Sequence, residues 1–225
     1  MKYAFLVILL LNICPMFSQN DAKTYVEDEA DLALKKMSRR YEALSIIYAE
    51  FELVVNNPKT KPTDDEAKLT TKQQGTITLK GDKFSLKLPK QEIICNGKNI
   101  WTLNFADKET QLSLFEESDD VFSPAKLFSF YKTGYSYQVK ERKPVNGKKA
   151  IVIEMSPVNK KTSYFKIDVT IDIATSTLLQ TKIYAKNGVR YTYNIIAEKD
   201  NLTLPDTAFE YNTQKYPQLK LIDLR

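Results

Sequence analysis

Three Asn-Gly pairs, at positions 96-97, 146-147 and 187-188, lie between runs of alternating apolar and polar residues. Both residues tolerate positive φ, so such a pair closes a two-residue type I′ hairpin whose twist suits the strands it joins. The clearest case is Gln91–Leu103, QEIICNGKNIWTL, which presents the single tryptophan, Trp101. A chain punctuated in this way folds as an antiparallel sheet.

The period-two pattern runs through most of the chain. Ile47, Ala49, Phe51, Leu53 and Val55 share one face of a first strand. Strands follow near Lys72–Lys80, Lys83–Leu88, Gln91–Cys95, Lys98–Phe105 and Thr110–Phe115. Later ones lie near Tyr135–Glu141, Lys149–Ser156, Tyr164–Ile173, Leu178–Lys186, Val189–Glu198 and Leu219–Leu224. The stretch Asn56–Thr70 has two prolines and no apolar pattern, and reads as a loop. A helix is expected over roughly Asp21–Leu44, with Ala22, Val26, Ala30, Ala33, Met37, Tyr41 and Leu44 at spacings of three and four. Glu27, Asp28, Glu29 and Asp31 precede Lys35, Lys36, Arg39 and Arg40, an order that complements the helix dipole. Ser123 as N-cap, Pro124 at the first helical position and Gly134 as terminator frame a second, short helix carrying Leu127, Phe128, Phe130 and Tyr131.

Before these elements, Met1–Gln19 reads as a secretory signal: Lys2, an apolar run Tyr3–Ile13 too short for a membrane span, then Pro15. The expected organisation is a leader over 1–19 and one domain over 20–225, exported to the periplasm. Cys14 falls in the leader, which leaves Cys95 as the one mature thiol. One thiol makes neither an internal disulfide nor a cysteine-rich zinc site, and in strand pattern beside Ile93 and Ile94 it reads as a buried, apolar-like side chain. Histidine is absent, which removes histidine bases, triads and metal ligands together. The six glycines form no phosphate-cradling loop. No enzyme, metal or cofactor is expected. The net charge of +5 comes from interspersed charges, not from the stripe a nucleic-acid binder needs. A basic face would still help the protein visit anionic membranes.

A curved sheet of about eleven strands encloses a space too wide for its own side chains to fill. The alternating positions give a candidate lining. Phe51 and Leu53 come from the first strand, then Phe84, Leu86 and Leu88, Trp101 and Leu103, and Leu112 and Leu114. Tyr135, Tyr137, Ile151, Ile153, Met155, Phe165, Ile167 and Val169 follow from the second half. The same spacing also makes an ordinary packed core, and the pattern alone does not choose between core and cavity. A cavity of this character suits acyl chains.

In order, Gly75-x-Ile77-x-Leu79, Lys83-Phe84-x-Leu86-x-Leu88-Pro89, the Asn96-Gly97-Lys98-x-x-Trp101 hairpin, Gln111-Leu112-x-Leu114 and the Ser123-Pro124 helix start resemble the periplasmic outer-membrane lipoprotein carrier family (LolA-type) over about a third of the chain. The resemblance implies a mainly β fold with flanking helices, an unclosed antiparallel β-barrel with an α-helical lid. It implies a monomeric carrier that holds the acyl chains of lipoproteins, takes them from an ATP-driven lipoprotein-releasing complex in the inner membrane and passes them to an outer-membrane acceptor. By position, Phe84 matches the family's strand aromatic and Trp101 its hairpin tryptophan. Pro124–Phe128 matches its lid helix, so that Leu127, Phe128 and the neighbouring Tyr131 meet acyl chains. One departure concerns lid control: Lys80-Gly81-Asp82 stands where the family has Arg-Pro, and lysine lacks arginine's planar five-donor fork. A carrier of another lipid or glycolipid, or a lipoprotein-sensing regulatory module, fits the same architecture. A sensor of this kind carries a second domain, for which no room is expected after Arg225.

Overall fold

A computed structural model describes residues 20–57, 70–115, 128, 134–200 and 202–225. One helix, α1 (Asn20–Glu42), precedes twelve strands that form one sheet. The first six are β1 (Ile47–Asn56), β2 (Thr70–Lys80), β3 (Lys83–Leu88), β4 (Gln91–Asn96), β5 (Asn99–Asn104) and β6 (Glu109–Leu114). The second six are β7 (Tyr135–Val145), β8 (Lys148–Pro157), β9 (Tyr164–Asp172), β10 (Leu178–Ala185), β11 (Arg190–Lys199) and β12 (Lys220–Asp223). The order across the sheet is β12-β6-β5-β4-β3-β2-β1-β11-β10-β9-β8-β7. The outermost strands, β12 and β7, do not pair, so the barrel is open. Two antiparallel meanders, β1 to β6 and β7 to β11, meet where β1 pairs with β11. Every pair is antiparallel except β12 with β6, which is parallel.

The leader, most of the polar loop and the Ser123-led helix lie outside the described residues, apart from Phe128 at 3% exposure.

The hairpin pairs turn in two ways. Asn146 and Gly147 both have positive φ, 51° and 77°, as a type I′ turn requires. At the other two sites only glycine does, Gly97 at 86° and Gly188 at 97°. There the asparagine works through its side chain. Asn96 Oδ1 accepts from the amides of Lys98 and Asn99, at 3.0 and 2.7 Å, and Asn187 Oδ1 accepts from Val189 N at 3.0 Å. Such side-chain bonds imitate a backbone turn.

The register sorts residues onto two faces. On the concave face, Ala49, Ile77, Leu86 and Ile93 form one cross-strand row, and Ile47, Leu79, Phe84, Cys95 and Ile100 the next. In the other meander Met155, Ile167, Ile183 and Tyr191 continue this face. Gly75 faces Phe51 across β1, and a Cβ there would lie 2.7 Å from both the Phe51 ring and the Lys87 carbonyl oxygen. Only glycine leaves space for that ring.

Helix α1 packs on the concave face, reaching β7 through Asp31 and the start of β10 and end of β11 through Tyr41. The β8–β9 loop and the β10–β11 hairpin share one end of the barrel. Among the described side chains of α1, Ala30, Leu34, Met37 and Tyr41 form the buried stripe, at spacings of four, three and four, and the expected Ala22 and Val26 lie outside the described side chains. Ala33 is only partly buried, and Leu34 takes the place that the sequence pattern assigns to it.

Candidate functional site

The concave face and the helix above it form one apolar cluster. Phe51, Ile77, Met37, Ile153, Met155, Ile167 and Val169 in it are wholly buried. Phe51 meets Tyr193 edge-on with centroids 5.6 Å apart, and Phe84 meets Phe115 in the same way at 6.1 Å. Phe128 packs edge-on against Tyr41 at 4.9 Å, which brings this residue of the Pro124-led segment under the helix. Of the sequence-derived lining, Phe51, Leu53, Phe84, Leu86, Phe128, Ile153 and Ile167 lie in this cluster and Leu88 packs against it. Leu127 and Tyr131 lie outside the described residues.

Trp101, Leu103 and Leu114 require a correction, and Leu112 with them. The sequence pattern puts them on the same lining as Phe84. Phe84 pairs with Cys95 and Cys95 with Ile100, so Trp101 points to the other face. On that convex face Trp101, Leu103, Leu112 and Ile94 form a second, smaller cluster with Tyr216 and Leu219 from the C-terminal segment. Leu114 is half exposed on the same side. Phe165 is also outward and exposed, not lining. The β4 run Ile93-Ile94-Cys95 is apolar on both faces, so alternation could not assign sides there.

The helix is tied to the sheet by polar contacts at its edges. Tyr137 Oη donates to Asp31 Oδ1 at 2.8 Å, and Arg142 pairs with Glu29. At the other end Tyr41 Oη donates to Glu198 Oε1 at 2.5 Å and accepts from Leu178 N at 2.9 Å. Arg40 reaches Asp200 at 3.1 Å and Glu198 at 3.8 Å. Burial pushes the Glu198 carboxyl up, offset in part by Tyr41 and Arg40, and burial together with the Glu198 charge pushes the Tyr41 phenol up. The Lys35 ammonium and the Tyr137 hydroxyl hold the Asp31 carboxyl below its ordinary value. The sequence pattern marks none of these ties, because tyrosine and acid side chains at strand edges look like ordinary solvated surface.

Beside α1 a cleft of about 120 Å³ opens between Leu32, Ala33 and Lys36 of the helix and Ile151, Ile171 and Ile173 of the sheet. Leu32 and Ile173 on its rim are both about half exposed.

Lys80 Nζ and Lys83 Nζ each lie 2.7 Å from Asp206 in the C-terminal segment, and they hold its carboxyl down at about 2. Cys95 is fully buried, and desolvation pushes its thiol up, away from the thiolate that nucleophilic or ligand chemistry needs. Among the described residues no group of three acidic, histidine or cysteine side chains is placed to hold a metal ion, and no helix is long and apolar enough to cross a membrane.

No family model matches the chain, and no curated protein matches it. Among solved structures it is similar to an uncharacterized conserved protein from Thermus thermophilus, with a TM-score of 0.56 at 8% identity, over 87% of this chain and 99% of that one. It also aligns with an outer membrane lipoprotein-sorting protein domain from Vibrio parahaemolyticus, at TM-score 0.46 and 15% identity over 80% and 97% of the two chains. A LolA superfamily protein from Nitrosomonas europaea aligns at TM-score 0.42 and 12% identity over 81% and 97%. These likenesses concern the fold alone. The open barrel beneath a helix is the architecture that the sequence motifs implied.

Proposed function

We propose that this protein is a carrier of acylated lipids, with the acyl chains of lipoproteins as cargo. One observation carries the reading: a continuous apolar concave face on an unclosed sheet, covered by a helix whose ties to the sheet are polar and lie at its edges. A cover held in this way can lift without unpicking a backbone ladder.

The magnitudes fit an exchange of helix for cargo. Re-exposing Leu34 and Met37 costs about 1.5–3 kcal/mol each. An acyl chain of ~15 buried CH₂ groups contributes roughly 12 kcal/mol before ordering costs. Cargo therefore outcompetes the helix stripe, while the stripe refills the face when cargo leaves. A lipid held this tightly in a membrane does not leave unaided, so loading needs an energised donor. The ATP-driven inner-membrane releasing complex is the proposed donor and an outer-membrane lipoprotein acceptor the proposed recipient, with the mature domain (residues 20–225) acting as a monomer in the periplasm after loss of the leader. The proposed acyl contacts are Phe51, Leu53, Phe84, Leu86, Leu88, Ile153 and Ile167 on the sheet, with Leu127, Phe128 and Tyr131 from the Pro124-led segment. The role is binding, not catalysis.

The test is release of a lipoprotein from energised inner-membrane vesicles by the purified mature protein. The expected result is release by the native chain and its loss in Phe84→Glu and in the milder Leu86→Ser, with sheet content by circular dichroism unchanged. Native-rate release by both variants would remove the concave face from the mechanism.

A further inference from the structure

At one end of the barrel the β8–β9 loop (residues 158–163) and the β10–β11 hairpin lie side by side, joined by Lys186 N donating to Ser163 O at 2.9 Å. Together they carry Lys160, Lys161, Lys186 and Arg190. Among the described residues none of these four cations meets a carboxylate. Lys160 Nζ donates to the Pro157 carbonyl at 2.9 Å, and Arg190 Nη1 donates to the carbonyls of Gly188 and Val189, at 2.8 and 3.1 Å. Lys186 likewise donates to the Lys160 carbonyl. The only acids between Met155 and Arg190 are Asp168 and Asp172, both buried, and each has a lysine of its own, Lys140 at 2.8 Å and Lys148 at 3.6 Å. Among the described residues this rim is therefore a concentration of positive charge.

Two apolar side chains stand out among these cations. Val158 is 65% exposed and Phe165 46% exposed. The Arg190 guanidinium lies over the Phe165 ring at 5.7 Å and over the Tyr184 ring at 5.0 Å, which holds the aromatic and the charge together. An exposed apolar side chain gains from entering an acyl layer, and a cation beside it gains from the phosphates just above that layer.

We propose that this rim docks on an anionic phospholipid bilayer, with Lys160, Lys161, Lys186 and Arg190 against lipid phosphates and Val158 and Phe165 entering the interface. Charge complementarity selects the occupant: four cations without carboxylate partners around two exposed apolar residues fit a negatively charged, half-apolar surface. Docking needs no cargo, so its test stands apart from that of the carrier reading.

The test is co-sedimentation of the purified mature protein with phosphatidylcholine vesicles that contain or lack phosphatidylglycerol. Binding is expected only to the anionic vesicles and should weaken as salt is raised. Each surface cation contributes about a fivefold factor, so Lys160→Ala with Lys161→Ala should lower anionic binding about 25-fold. Val158→Ser should lower it as well. The paired control Lys98→Ala with Lys215→Ala removes two exposed cations elsewhere and should lower it far less. Equal loss in the control pair, equal binding to neutral vesicles, or no binding to anionic vesicles would overturn the proposal.

Discussion

The two sides of the sheet are covered in different ways. On the concave side, α1 lays four buried residues against the strands and is tied at its edges by side-chain hydrogen bonds and ion pairs. On the convex side, the C-terminal segment is built into the sheet. β12 pairs in register with β6, Tyr211 and Tyr216 stack with rings 3° from parallel, and Tyr216 Oη donates to Glu92 at 2.6 Å. A backbone ladder with stacked rings opens only when that part of the sheet does. Side-chain ties open one at a time. The concave cover is thus the movable one and the convex cover a permanent part of the wall, which is also where Trp101 resides.

Phe51→Ala sharpens this comparison most strongly. Phe51 is fully buried on the concave face, and truncation there costs about 3–5 kcal/mol, measurable by denaturant unfolding. Gly75→Ala acts on the same ring from the other side: the added methyl meets the Lys87 carbonyl oxygen, which cannot retreat, at an expected cost of about 1–3 kcal/mol. Tyr41→Phe removes the hydroxyl that serves both Glu198 and Leu178 N, and should cost about 1–3 kcal/mol. Its signature is faster amide hydrogen exchange in α1 with no change in β12. Equal acceleration in both would break the distinction between the two covers. Asp31→Asn weakens one tie at the helix edge, and as a surface contact should cost no more than about 1 kcal/mol.

The C-terminal segment and the C-terminal end of α1 differ in the sign of their pH response. The Asp206 carboxyl lies at about 2, below its usual 3.8, so the Lys80 and Lys83 ties contribute above 3.8 and are lost as pH falls through 2. The Glu198 carboxyl lies above its usual 4.5, so its contribution is fullest below 4.5 and is lost as pH rises through the raised value. Acidification should therefore loosen the C-terminal segment, seen in Trp101 fluorescence, and tighten the C-terminal end of α1, seen in slower amide exchange. Changes of the same sign in both probes would contradict the assignment.

Much of this architecture was legible in the residues. Alternation placed the strands, and the Asn-Gly pairs placed three hairpins, because period two and positive φ are local properties. Asn96 and Asn187 nevertheless close their turns through side-chain oxygens, a choice the dipeptide does not encode. The side of Trp101 was not legible, since Ile93-Ile94-Cys95 is apolar on both faces and register is decided across strands. The last strand was expected near Leu219–Leu224 and is β12, whereas Tyr211 and Tyr216 of the convex cover escape the pattern because they lie in a polar segment without period. Two tyrosines among polar neighbours were the available signal that something there is buried. Among the described residues Lys80, of the Lys80-Gly81-Asp82 departure, pairs with Asp206 in the C-terminal segment.

The most direct measurement of the central claim is native mass spectrometry of the mature protein after incubation with energised inner-membrane vesicles, without detergent. The account predicts an adduct with the mass of an acylated lipoprotein, lost in Phe84→Glu. A bare mass for the native chain under the same conditions would contradict it.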